Sequence, residues 1–170
     1  MSLAPDTAAQ LGVYAQLAVG LAGFAGVIGA FSHFRIHAQA TAFRVRAMVV
    51  LALMEALFSL LPQLIAAYGA TEAQTWRIAA GLAAVLASAA VVVLFRQAGV
   101  LYRVGRLMRG AAYLLCVAAV GLILPLVATA AGFWPGYAAP SYFALMFFGV
   151  FVCSYHFVML MVAVRLEENE

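Results

Sequence analysis

Five long apolar stretches organise this chain, separated by clusters of polar, charged, Gly and Pro positions: Leu11 to Phe31, Ala47 to Tyr68, Trp76 to Phe95, Ala111 to Ala131 and Phe143 to Val164. At about 1.5 Å of rise per residue, ~20 apolar residues in a helix cross the ~30 Å hydrocarbon core of a bilayer. The pattern predicts an all-α polytopic membrane protein, a bundle of five transmembrane helices making one domain over residues 1–170. Two connections are short. Gly69 breaks the helix before Gly69 to Thr75, and Gly132, Pro135, Gly136 and Pro140 bend the loop Gly132 to Ser141. Short connections make successive helices antiparallel neighbours. Residues 96–110 form a longer, amphipathic connection, with Val100, Leu101, Val104, Leu107 and Met108 at helical spacing against Arg96, Arg103 and Arg106. It reads either as a helix in the headgroup plane or as a helix extension with snorkelling arginines.

Composition agrees with the pattern. The chain is 68% hydrophobic and 9% charged with a mean hydropathy of +1.08, against roughly 25% charged residues in a soluble domain. The first ten residues carry no positive charge, and the first apolar stretch is long enough to span, which predicts an uncleaved anchor.

Charge sets the expected orientation. All nine basic residues are arginine, and Lys and Arg in short loops favour the cytoplasmic side. Arg35, Arg44 and Arg46 follow the first stretch, Arg96, Arg103, Arg106 and Arg109 follow the third, and Arg165 follows the fifth. Five crossings with the N-terminus outside and the C-terminus inside put all of these on one side, leaving only Arg77 outside. Trp76, Phe133, Trp134, Tyr137 and Tyr142 then form an outer aromatic belt. The expected partner of the arginines is lipid headgroups rather than nucleic acid. The acidic tail Glu167, Glu168 and Glu170 reads as a solvated end.

Gly20, Gly23, Gly26 and Gly29 recur every three residues in the first stretch, and Ala18, Ala22, Gly26 and Ala30 every four, a pattern expected to bring helices into close contact. Ala80, Ala84 and Ser88 repeat it in the third. Cys116 and Cys153 differ in depth by about 9 Å of helix rise, too far for a disulfide, and read as free thiols. No CxxC, HExxH, GxSxG or phosphate-binding Gly loop occurs, so the expectation is a protein without enzymatic chemistry.

Candidate chemistry centres on Glu55, the only acidic residue inside a long apolar stretch. An ionisable group at membrane depth must be paired, protonated or wetted, and marks a candidate site. Counted from the inner helix ends, Glu55, His156 and Ser88 lie at one level, roughly 10 to 12 Å deep, so a Glu55–His156 pair is expected to relieve both. Arg44, Met48, Glu55, Ser59 and Gln63 share one helical face, and Pro62 leaves the Phe58 carbonyl without its helical donor. These groups border a path for protons or small cations, or they are interhelical hydrogen bonds worth roughly 0.6 kcal/mol each, or they line a ligand or lipid pocket. His33, His37 and His156 do not complete a haem or metal ligand set, and no cofactor is expected.

The stretch GLAGFAGVIGAF, Arg44 and Arg46 before the second helix, EALFSLLP, the Trp76 and Arg77 start and the close FALMFFGVFVCSYHFVML resemble a set of small bacterial integral membrane proteins of about this length with no assigned activity. The resemblance implies a bacterial inner-membrane setting. The expected function is a small homo-oligomeric channel or transport protein for protons or small cations. Glu55, Ser59, Gln63, His156 and Ser88 would lie on a path built at a subunit interface. The alternative is an accessory subunit of a larger membrane complex, docked through Gly20, Gly23, Gly26 and Gly29.

Overall fold

The computed structural model describes residues 5–31, 38–103 and 109–167. It contains α1 (Pro5–Phe31), α2 (Ala38–Ala67), α3 (Glu72–Arg103), α4 (Arg109–Ala130), a 3-10 turn at Pro135–Tyr137, and α5 (Ala138–Glu167). The chain is all-helical as the pattern predicts. Among the described residues, four stretches are long and apolar enough to cross a membrane: Asp6–Ile28, Thr41–Ala67, Glu72–Gln97 and Ala138–Val162. The fourth helix contributes a shorter apolar run, Leu114–Ala130. The make-up is that of a multi-pass membrane protein.

Local chemistry sets the helix ends. Pro5 opens α1, where a missing N–H is harmless, and Asp6 in its first turn favours the positive end of the helix dipole. Before α3, the Thr71 hydroxyl accepts from the Gln74 N–H at 3.3 Å while the Gln74 side chain accepts from the Thr71 N–H at 3.0 Å, a reciprocal capping box. Gly69 and Gly132 take φ values of +85° and +89°, the left-handed conformation that ends α2 and α4. After α4, the Gly132 N–H reaches the Thr129 carbonyl and the Phe133 N–H reaches that of Ala128, forming a Schellman cap.

α3 continues without a break to Arg103, so the first half of the amphipathic connection extends a transmembrane helix and does not form a separate surface helix. Residues 104–108, with Arg106, lie outside the described residues, as do residues 32–37 with His33, Arg35 and His37.

α2, α3, α4 and α5 form a ring in which each touches the next and α5 returns to α2, while α1 packs mainly on α2. Near the α2–α3 turn the ring is filled by Phe58, Trp76, Leu126, Tyr142 and Met146, which lie in one core cluster with Ala79, Ala80 and Ala83. Trp76 and Tyr142 are therefore core residues, 5% and 0% exposed, not members of an interfacial belt. Their rings meet at 5.7 Å, which binds the start of α3 to α5. Phe133, Trp134 and Tyr137 are exposed. Leu53, Leu57, Leu60 and Leu64 on α2 and Phe147 on α5 also face outward. An apolar outer surface suits lipid, which favours no particular helix face the way water does.

α1 buries Leu11, Ala18 and Ala25, a seven-residue repeat along one face. Gly20 and Gly23 lie on the far side and Gly26 on the flank, all exposed, with none of the described residues within 4 Å of where a Cβ would stand. The expected glycine contact is thus not made with the chain's own helices. Heptad spacing turned the alanine and leucine stripe inward and the three-residue glycine stripe outward. The side-chain surroundings of Gly29 fall outside the described set.

Candidate functional site

Glu55 lies on the inward face of α2, 4% exposed, where the ring closes against α5. Room for its carboxyl comes from a glycine. A Cβ built at Gly149 would fall on Oε1 of Glu55 and lie 2.5 Å from its Cδ. Gly149 is buried between Phe148 and Val150, the point where α5 lets a charged side chain rest against its backbone. Oε2 of Glu55 is buried and has no hydrogen-bond partner among the described residues.

Glu55 also lines a partly open cavity of about 160 Å³ walled by α2, α3, α4 and α5, in the half of the ring remote from the α2–α3 turn. Its walls are mostly apolar, with Leu51, Met54, Val91, Leu94, Ile123 and Val152 among them, and Phe43, Phe58, Phe148 and Tyr155 contribute rings. His156, Arg44 and Cys116 complete the polar lining.

His156 is 9% exposed and does share this cavity, but it does not pair with Glu55. No hydrogen bond or ion pair joins them among the described residues, and Nδ1 of His156 is buried without a partner. Glu55 rests on Gly149, seven residues and so about 10 Å of helix before His156. Equal depth, counted from the ends of the apolar runs, misjudged the register because α2 starts at Ala38, far before its run at Ala47, whereas α5 ends at Glu167, close to the end of its run at Val164. His156 instead packs edge-on against Phe43, with ring centroids 6.2 Å apart.

The other expected path residues are engaged elsewhere. The Ser59 hydroxyl donates to the Glu55 carbonyl at 2.8 Å, and Gln63 Nε2 donates to the Ser59 carbonyl at 3.5 Å, both within α2. Ser88 is exposed on α3, donates to the Ala84 carbonyl at 2.7 Å and does not line the cavity. The Phe58 carbonyl freed by Pro62 is not open to a path, because the Tyr142 hydroxyl donates to it at 2.8 Å. Cys153 lies buried with its thiol 3.8 Å from the Met48 carbonyl, and Cys116 is likewise a free thiol.

The arginines divide. Arg46 and Arg96 are exposed, as headgroup contacts require. Arg44 turns into the cavity mouth instead, donating from Nη1 to the Met159 carbonyl at 3.3 Å. Arg103 and Arg109 stand at adjoining ends of α3 and α4, and their side chains fall outside the described set. Arg77 caps α4, its Nε donating to the Ala130 carbonyl at 2.8 Å.

Gly149, Tyr142 and Cys116 were not legible as site residues from the sequence. The one available signal was a lone glycine in the bulky run Phe147, Phe148, Gly149, Val150, Phe151, which marks a close approach.

The site thus belongs to a class, a helical membrane bundle with a buried carboxyl group on a mostly apolar cavity between its helices. Comparison with protein-family models, with curated proteins and with solved structures finds no match.

Proposed function

We propose that this chain is a small membrane transport protein for protons or small cations, with Glu55 as the group the transported species meets. The observation that carries this reading is the buried carboxyl of Glu55, with Oε2 unpartnered among the described residues, on the wall of a partly open cavity between the helices. A buried carboxylate is costly without a partner, and a passing cation or proton supplies one. Because Glu55 faces the interior of its own bundle, each chain carries its own site, and the path does not lie at a subunit interface. Ser59 and Gln63 bond back to carbonyls of α2 beside the site, while His156 and Arg44 stand toward the cavity's other end.

The same reading places the chain in a bacterial inner membrane, crossing five times with the N-terminus outside and the C-terminus inside. α4 is counted as the fifth span because its end at Ala130 meets Arg77 at the start of α3, so the two helices run antiparallel side by side. Arg77 is the one basic residue on the outer side, and its role as the α4 cap accounts for that exception. In liposomes, the wild-type chain should dissipate an imposed proton or alkali-cation gradient and Glu55→Gln should not. Equal flux from both would remove the reading.

A second reading, an accessory subunit or homo-oligomer assembled through α1, is favoured by the exposed face of Gly20, Gly23 and Gly26. It expects Gly26→Leu to release a copurifying chain without unfolding this one.

A further inference from the structure

We infer that the cavity beside Glu55 receives a small organic ammonium ion, its nitrogen on the Glu55 carboxylate and its carbons against the apolar wall. The inference rests on the proposed role of Glu55 as the cation-binding group, and narrows the cation to one chemical class.

Three observations carry it. The first is size: about 160 Å³ is close to the roughly 150 Å³ of an engineered apolar cavity that accepts benzene, so the space suits a molecule of about six to ten non-hydrogen atoms.

The second is the scarcity of oxygen. A bare metal cation replaces its water with about six oxygen ligands or keeps several waters. Around Glu55, the carbonyls of Glu55, Phe58 and Ser59 already accept side-chain donors from Ser59, Tyr142 and Gln63. Among the described residues no three His, Cys, Asp or Glu side chains stand close enough together to hold a metal. One carboxylate is a poor cage for a metal ion, but it satisfies an ammonium N–H with a charge-assisted hydrogen bond.

The third is the distribution of charge and rings. Phe43, Phe58, Phe148 and Tyr155 contribute rings to the lining, with Phe58 three residues from Glu55 and Phe148 next to Gly149, where a cation gains from a nearby aromatic ring. Arg44 lies eleven residues before Glu55 on α2, about 16 Å away along the axis, and is held by the Met159 carbonyl. The cavity therefore has its acidic group at Glu55 and its fixed positive charge at its other end, which sets the ammonium beside Glu55, the one wall group able to pair with it as an anion. His156, Tyr155 and Cys116 are the remaining titratable groups on its walls.

Calorimetric titration of the full chain in lipid nanodiscs, with empty nanodiscs as blank, tests this using benzylamine, the uncharged benzyl alcohol and NaCl. Saturable benzylamine binding is expected, at least tenfold tighter than benzyl alcohol and not displaced by sodium beyond the effect of ionic strength. Glu55→Gln should weaken it at least tenfold. Ala119→Phe should also abolish it, since position 119 lines the cavity from α4 and a larger side chain there fills the space while leaving Glu55 in place. Equal affinity for amine and alcohol, or unchanged affinity in Glu55→Gln, overturns the inference. Glu55-dependent proton or sodium flux without benzylamine binding overturns it while sparing the transport reading. Glu55-dependent benzylamine binding without flux supports it and removes transport.

Discussion

The Tyr142 hydroxyl on α5 donates at 2.8 Å to the Phe58 carbonyl on α2, the carbonyl that Pro62 deprives of its helical N–H partner. A proline inside a membrane helix is tolerated when a neighbouring helix satisfies the freed carbonyl, and here the bond also ties α2 to α5 near the packed end of the ring. Tyr142→Phe should lower thermal stability in detergent by about 1 to 2 kcal/mol, the cost of an unsatisfied buried acceptor. Pro62→Ala restores an N–H within the helix. In that background Tyr142→Phe should cost clearly less, and equal losses in both backgrounds would refute the link.

Gly149 and Glu55 form a second coupled pair. Gly149→Ala places a methyl where the Glu55 carboxyl lies, so it should separate α2 from α5 and destabilise by about 1 to 3 kcal/mol, the range for overpacking. Removing the carboxylate with Glu55→Ala should relieve that clash, and Glu55→Gln, which keeps the volume, should not. A double-mutant cycle on melting temperature reads the difference.

At the other end of the bundle, Arg77 and Gly132 close α4 together. Gly132 holds φ at +89°, and a Cβ there would approach Arg77 Nη2 at 3.2 Å. Gly132→Ala should cost about 1 to 2 kcal/mol through left-handed backbone strain. Arg77→Leu removes the donor to the Ala130 carbonyl and should increase hydrogen exchange at the α4 C-terminus more than elsewhere.

On α1, Gly23→Leu meets open space and should change the stability of the isolated chain by no more than about 0.5 kcal/mol. Melting in dilute detergent measures this, and a large loss would mean that α1 packs differently from the arrangement described.

Much of the fold was legible in advance. The apolar stretches, the glycines that end α2 and α4, and the shared helical face of Met48, Glu55, Ser59 and Gln63 all follow from residue order, because hydropathy, turn chemistry and helical period act over a few neighbouring residues. Helix ends were less legible. α3 runs to Arg103 because no proline lies between Phe95 and Arg103 and the single Gly99 is tolerated, even though the apolar run stops at Phe95.

The candidate site divides along the same line. Sequence alone determined that Glu55 sits in an apolar helix and that Pro62 frees a carbonyl. Only the tertiary structure decided that Glu55 rests on Gly149 and not beside His156, that Tyr142 takes the Phe58 carbonyl, and that Ser88 faces out. The reason is physical: helix formation and membrane residence depend on local composition, whereas the rotation and sliding of one helix against another are set by how side chains on separate segments fit together.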